Sequence, residues 1–218
     1  MSISLQKGQK VNLSKERAGL SKVIVGLGWD EAEPKEETRG ETGKEKRGFL
    51  ERLFGVESES PMAKKVQTID CDASAFLLRD GKLKKESDIV CYYNLHHKSG
   101  AVNHQGDNLT GAGEGDDEQI TIDLSKVPEK FDKIEIVVNI YHAMSKHQHF
   151  GMIENAFIRL VDEKTGEEIC RYNLTDDYSG MTAMIFGEVY RRDGEWKFNA
   201  VGQGTKDPDI ESLARRFS

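Results

Sequence analysis

Residues 69–78 read Ile69-Asp70-Cys71-Asp72-Ala73-Ser74-Ala75-Phe76-Leu77-Leu78. Ile69, Cys71, Ala73, Ala75 and Leu77 recur with period two, so a strand here carries them on one face and Asp70 and Asp72 on the other. Asp80-Gly81 follows as a turn signal. The same pattern extends in both directions. Apolar or alternating runs at 3–5, 11–13 and 22–27 precede it, and further runs fall at 89–93, 101–104, 119–124, 134–141, 157–162, 168–174, 184–191 and 196–201. Lys164-Thr165-Gly166 and Asp193-Gly194 read as hairpin turns between neighbouring runs. About ten short strands without a βαβ rhythm predict an all-β fold, an antiparallel β-sandwich. Residues 125–131 suggest one helical turn. The tail 206–218 reads as a short amphipathic helix carrying Ile210, Leu213, Ala214 and Phe217.

One segment breaks the pattern. Between residues 31 and 66, 17 of 36 residues are charged, 9 acidic and 8 basic, with Pro34, Pro61 and four glycines. Such a composition buries too little apolar surface to offset the cost of ordering, so it reads as a largely disordered insertion in a domain spanning 1–205. Within it, Phe49, Leu50, Leu53 and Phe54 would share one face of a short helix over 47–54.

The 218 residues carry a net charge of −7, which argues against nucleic acid as a partner, because phosphate binding needs a basic face. No run reaches the ~18 apolar residues of a transmembrane helix, and the N-terminus lacks the apolar stretch of a secretory signal. Cys71, Cys91 and Cys170 are odd in number and set in apolar surroundings, as buried thiols in a reducing compartment would be. Together these features predict a cytoplasmic protein.

Residues 106–118 hold the densest chemistry. Asp107, Glu114, Asp116, Asp117 and Glu118 crowd a stretch with Asn108 and glycines at 106, 111, 113 and 115. Oxygen donors on a glycine-rich loop suit calcium, which takes six to eight oxygens at ~2.3–2.6 Å; a solvated acidic loop is the alternative. Asp70 and Asp72, on one strand face, would reach this loop if both lie at the same end of the sandwich. Seven carboxylates would exceed the need of one ion and suit two. The spacing does not match an EF-hand. His147 and His149, two positions apart with His142 nearby, offer a rival zinc or copper site, but no third ligand has a recognisable spacing. Neither a nucleophile elbow nor a phosphate-binding loop is present, and no catalytic constellation emerges.

Several motifs occur in a telling order: Gly26-Leu27-Gly28-Trp29-Asp30, Ile69-Asp70-Cys71-Asp72-Ala73-Ser74-Ala75, Gly106-Asp107-Asn108-Leu109-Thr110-Gly111, Gly115-Asp116-Asp117-Glu118, and Asp193-Gly194 leading into Ala200-Val201-Gly202-Gln203-Gly204. In this order they resemble the TerD family of tellurium-resistance and general stress proteins. The resemblance implies a β-sandwich binding two calcium ions through Asp70, Asp72, Asp107, Asn108, Asp116, Asp117 and Glu118. Glu114 stands where relatives often have aspartate, and His142 where they often have an acid. It also implies a binding module rather than an enzyme, working with other stress-resistance proteins and a membrane-embedded partner of the same operon. Two other readings are a calcium-gated membrane or partner adaptor using the 47–54 helix, and a redox or metal-dependent enzyme acting through the cysteines or histidines.

Overall fold

The computed structural model describes residues 2–32, 68–106 and 115–218, and everything said of the fold concerns these. The charged segment's 33–67 portion, with the 47–54 helix, and the loop residues Asp107, Asn108 and Glu114 lie outside them.

Twelve strands form two six-stranded sheets. In the first, the order is β1 (Ile3–Leu5), β10 (Glu168–Asn173), β9 (Ile153–Asp162), β3 (Lys22–Glu31), β7 (Glu118–Asp123) and β6 (Val102–His104). The second runs β2 (Lys10–Asn12), β12 (Glu195–Thr205), β11 (Ala183–Arg192), β8 (Lys133–Ile140), β4 (Cys71–Leu78) and β5 (Ile89–Val90). Neighbours pair antiparallel except β1 and β10, which pair parallel. That pairing departs from a wholly antiparallel sandwich. β1 and β10 lie far apart in the chain and are not joined by a hairpin, so nothing forces the pair to be antiparallel.

The predicted face of β4 is core. Cys71, Ala73, Ala75 and Leu77 pack with Val23, Val25 and Leu27 of β3, Ile120 and Ile122 of β7 and Ile134, Ile136 and Val138 of β8 in one apolar cluster between the sheets. The opposite face of β4 is buried as well. Phe76 and Leu78 join Val137, Ala183 and Ile185 beneath α3 (Ile210–Arg215), which contributes Ile210, Leu213 and Ala214. Phe217 closes this second cluster, edge-on to Phe76 at 5.8 Å. Asp209 starts α3 by accepting the Ser212 N–H at 2.7 Å, an N-cap worth ~1 kcal/mol.

The hairpin signals hold: Asp80 and Gly81 take φ of 52° and 70°, Asp193 and Gly194 of 57° and 76°, as a type I′ turn requires. Other details differ. Residues 125–131 form turns rather than a helix, and the run at 89–93 is a strand only over Ile89–Val90. The polar residues Ser14 to Glu16 instead continue from β2 into a short helix, α1 (Leu13–Glu16), capped by Asn12. A further single turn, α2 (Ala143–Lys146), lies between His142 and His147, both left-handed.

Candidate metal centre

Glu31 ends β3, Asp70 precedes β4, and Asp116 and Asp117 precede β7, so three strand termini bring carboxylates to one end of the sandwich. Glu118 fixes their relation. The β5 strand pairs only with Ala75 and Phe76, so the Ala73 N–H has no strand partner on that side. Glu118, on the other sheet, accepts it through Oε2 at 2.5 Å and lies 3.4 Å from His104 Nε2.

The charges at this end act together on Cys71. Its thiol is pushed well above the ordinary value, first by burial and then by Glu118, Asp72, Asp70 and Asp117 in that order. Four of the carboxylates predicted from sequence therefore act on one buried thiol, and the Asp-x-Asp strand meets the acidic stretch through the Ala73–Glu118 bond. Asp72, which the alternation leaves on an open face, is buried, and Asn139 Nδ2 donates to it at 3.4 Å. Asp117 docks on β3: its N–H donates to the Leu27 carbonyl at 2.7 Å and its Oδ2 accepts the Trp29 N–H at 2.8 Å. Burial raises its pKa, the Trp29 N–H opposes this, and Asp30 and Asp116 raise it further.

Asp116 has a different commitment. Arg159 on β9 grips it in a fork, with Nε at 2.7 Å and an Nη at 3.1 Å, and Gln119 donates to it at 3.0 Å. Arg159 and Gln119 are the register partners of Gly26 on either side of β3. A Cβ at Gly26 would stand 2.2 Å from Asp116 Oδ2, so the absent side chain lets the carboxylate cross the strand. Gly28 repeats this: a Cβ there would meet the Phe157 ring at 2.5 Å and the Gly115 carbonyl at 2.9 Å. Both glycines of the Gly26-Leu27-Gly28 motif make room for the acidic stretch.

Two acids that sequence reasoning did not assign also belong to this end. Asp30 accepts from Asn155 at 2.8 Å and adds its field to Asp117. Glu31, grouped by composition with the charged segment, is the last residue of β3 and accepts the Ile69 N–H at 2.7 Å. The signal for Asp30 was its place in Gly28-Trp29-Asp30; nothing local marked Glu31.

Among the described residues, no group of three or more His, Cys, Asp or Glu side chains is close enough to hold a metal ion by itself. The donors around Cys71 are all carboxylates, and Asp117 is poised where added positive charge lowers its cost. Both features fit a hard cation. The histidines do not form a strand pair, because His147 ends α2 and His149 caps the next turn by accepting the Gly151 N–H at 3.1 Å. All three cysteines are free and buried.

The fold and this end define a class: a β-sandwich whose sheets are tied at one end by a buried carboxylate among further acids. The TerD domain model matches residues 1–217, and the chain belongs to that family. It is 47% identical to stress response protein SCP2 of Bacillus subtilis (strain 168), over the full length of both. It is 45% identical to tellurium resistance protein TerD of Serratia marcescens, over 94% of this chain and 91% of that one. A crystal structure of a TerD homologue from Streptomyces coelicolor A3(2) shares the fold, with a TM-score of 0.59 at 18% identity over 92% of this chain and 99% of that one. Among the described residues no helix is long and apolar enough to cross a membrane.

Proposed function

We propose that this TerD-family chain serves the stress response, including resistance to tellurium compounds, as a cytoplasmic module that binds two calcium ions and performs no catalysis. The supporting observation is the Ala73–Glu118 bond, which sets the segment carrying Asp70 and Asp72 against the acidic stretch at one end of the sandwich, so that Asp70, Asp72, Asp117 and Glu118 all act on the Cys71 thiol. Asp70, Asp72 and Asp117 are the proposed ligands among the described residues, with Asp107, Asn108 and Glu114 completing the set. Glu118 acts as a brace, because its Oε2 already accepts the Ala73 N–H. Asp116, held by Arg159, positions the stretch rather than giving its oxygens to an ion. Bound calcium would supply the positive charge that offsets repulsion among these acids. The proposed partners are other stress-resistance proteins, a membrane-embedded one among them.

Burial argues against a thiol mechanism. A thiolate is the reactive form, and burial raises the pKa of Cys71, Cys91 and Cys170.

Calorimetric titration of the calcium-free protein tests the proposal. Two-site heat should appear and vanish in Asp70→Asn, Asp72→Asn double-variant protein. A hundredfold excess of calcium over Kd should add ~2.7 kcal/mol of stability. Absence of both heat and a thermal shift in the unsubstituted protein sinks it.

A further inference from the structure

His104, the last residue of β6, brings an imidazole into the acidic end, where it is only 2% exposed. Gly106 takes φ of 118°, a value open to glycine, and its N–H turns back onto this ring. Nδ1 accepts that N–H at 3.1 Å, so the ring proton sits on Nε2. Nε2 faces Glu118 Oε2 at 3.4 Å, the same oxygen that accepts the Ala73 N–H. It makes no hydrogen bond to any other group among the described residues. Both ring nitrogens are thus occupied within the fold, and the imidazole cannot ligate an ion without giving up one contact.

The effect of the ring runs through Glu118. Ala73 follows Asp72 and Glu118 follows Asp117, so the Ala73–Glu118 bond lies between two proposed ligands from different sheets. The Glu118 carboxylate is buried, and burying its charge is costly unless N–H groups face it. Ala73 supplies one and the imidazole a second, both directed at Oε2. Two donors on one oxygen also oppose a rotation of the carboxylate that the bond to Ala73 alone leaves open. Side chains that orient a metal's surroundings in this way, without touching the metal, govern its affinity, and removing one costs about ten- to a hundredfold.

We propose that His104 is a positioning residue for the cation: its imidazole holds Glu118 on Ala73 and so sets Asp72 and Asp117 at the spacing that calcium requires, without itself reaching the ion. This role rests on the calcium reading above.

The full chain is tested with and without calcium. Without it, nitrogen NMR of the unsubstituted protein should show His104 protonated at Nε2 and not at Nδ1. His104→Asn keeps an acceptor where Nδ1 lies but cannot reach Glu118. It should speed hydrogen exchange of the Ala73 N–H and leave that of Gly106 unchanged. With calcium, calorimetry of the His104→Asn protein should still give two sites, at a Kd raised about ten- to a hundredfold. His104→Gln places an N–H near the Nε2 position and should retain most of the affinity. His97 supplies the control for stability alone: it is as buried, and its Nε2 faces Asp88 at 3.4 Å instead of an acid of this end. His97→Asn should lower the melting temperature and leave calcium affinity unchanged. A proton on Nδ1, or unchanged Ala73 exchange in the His104→Asn protein, overturns the proposal. So does a loss of affinity in His104→Gln or His97→Asn equal to that in His104→Asn. If the unsubstituted protein gives no calcium heat, the calcium reading falls and this role with it. If that protein binds calcium and His104→Asn binds as tightly, this role alone falls. The nitrogen NMR needs no variant, so it decides even if His104→Asn does not fold.

Discussion

The Ala73 N–H donates to Glu118 Oε2 across the two sheets at 2.5 Å, and this bond holds the start of β4 against the start of β7. Removing the acceptor leaves a buried donor unpaired. Glu118→Ala should therefore lower unfolding stability by ~1–3 kcal/mol in urea. Glu118→Gln keeps an acceptor oxygen and should retain most of that stability. Equal losses in the two variants would show that the bond itself is not what holds the strands.

Gly26 and Asp116 are linked by space rather than by a bond. A methyl group at Gly26 must push Asp116 from the Arg159 fork, leaving a carboxylate with a side chain 1% exposed without its cation. Gly26→Ala should destabilise by ~3 kcal/mol, the low end for breaking a buried pair, since Arg159 is partly exposed. Arg159→Leu should cost a similar amount. If both act through Asp116, the double variant should lose far less than the sum of the two single losses. Additive losses would refute the shared cause.

How far the sequence reveals this structure depends on the range of the interaction. The alternation in 69–78 shows β4 because a strand's periodicity is local, and Asp80-Gly81 reveals its turn for the same reason. The burial of β4's second face is hidden because the cover over Phe76 and Leu78 comes from α3, more than a hundred residues later, with Phe217 seated on Phe76. The pairing of Asp116 is equally hidden: Arg159 reaches it over β3 only because strand order sets Gly26 between β9 and β7. The acidic stretch was legible as a cluster, whereas the division between Glu118, which braces β4, and Asp116, which is tied to arginine, needed the register.

A second buried acid gives the protein a pH dependence away from this end. Burial, then the charge of Glu188, pushes Glu135 up to about 8, while Lys133 opposes the shift. In Glu188 burial also acts upward, but hydrogen bonds from Lys133 and Asn199 outweigh it and hold the pKa below the ordinary value. An acid raised on folding binds more protons in the native state. Its contribution is complete below the unfolded value of about 4.5 and is lost as pH rises towards about 8. Glu135→Gln should thus raise the melting temperature relative to the unsubstituted protein at pH 8.5 and change it little at pH 5. A larger gain at pH 5 would reverse the assignment.

The cysteines should behave as inert core groups. Burial, then Glu168, pushes Cys170 up to about 12, and Cys71 and Cys91 are also fully enclosed. An aromatic disulfide reagent should label none of the three rapidly in native protein at pH 7.5 and all three in denaturant. Rapid labelling of even one native thiol would reopen a redox role.

Asp117 separates stability from ion binding by sign. Without a cation its carboxylate is penalised by burial and by Asp30 and Asp116, although the Trp29 N–H offsets part of this. Its raised pKa means that calcium-free protein gains stability from this group on acidification and loses it as pH rises through the folded value. Asp117→Asn keeps an oxygen for Trp29 and removes the charge. In chelator at pH 7.5 it should melt above the unsubstituted protein, by an amount that shrinks as pH falls. In saturating calcium the order should invert, because the unsubstituted protein alone gains the full stabilisation from binding. A variant more stable in chelator and equally stabilised by calcium would remove Asp117 from the proposed ligands while leaving its electrostatic cost intact. A variant less stable in both conditions would mean that the Trp29 contact outweighs the repulsion.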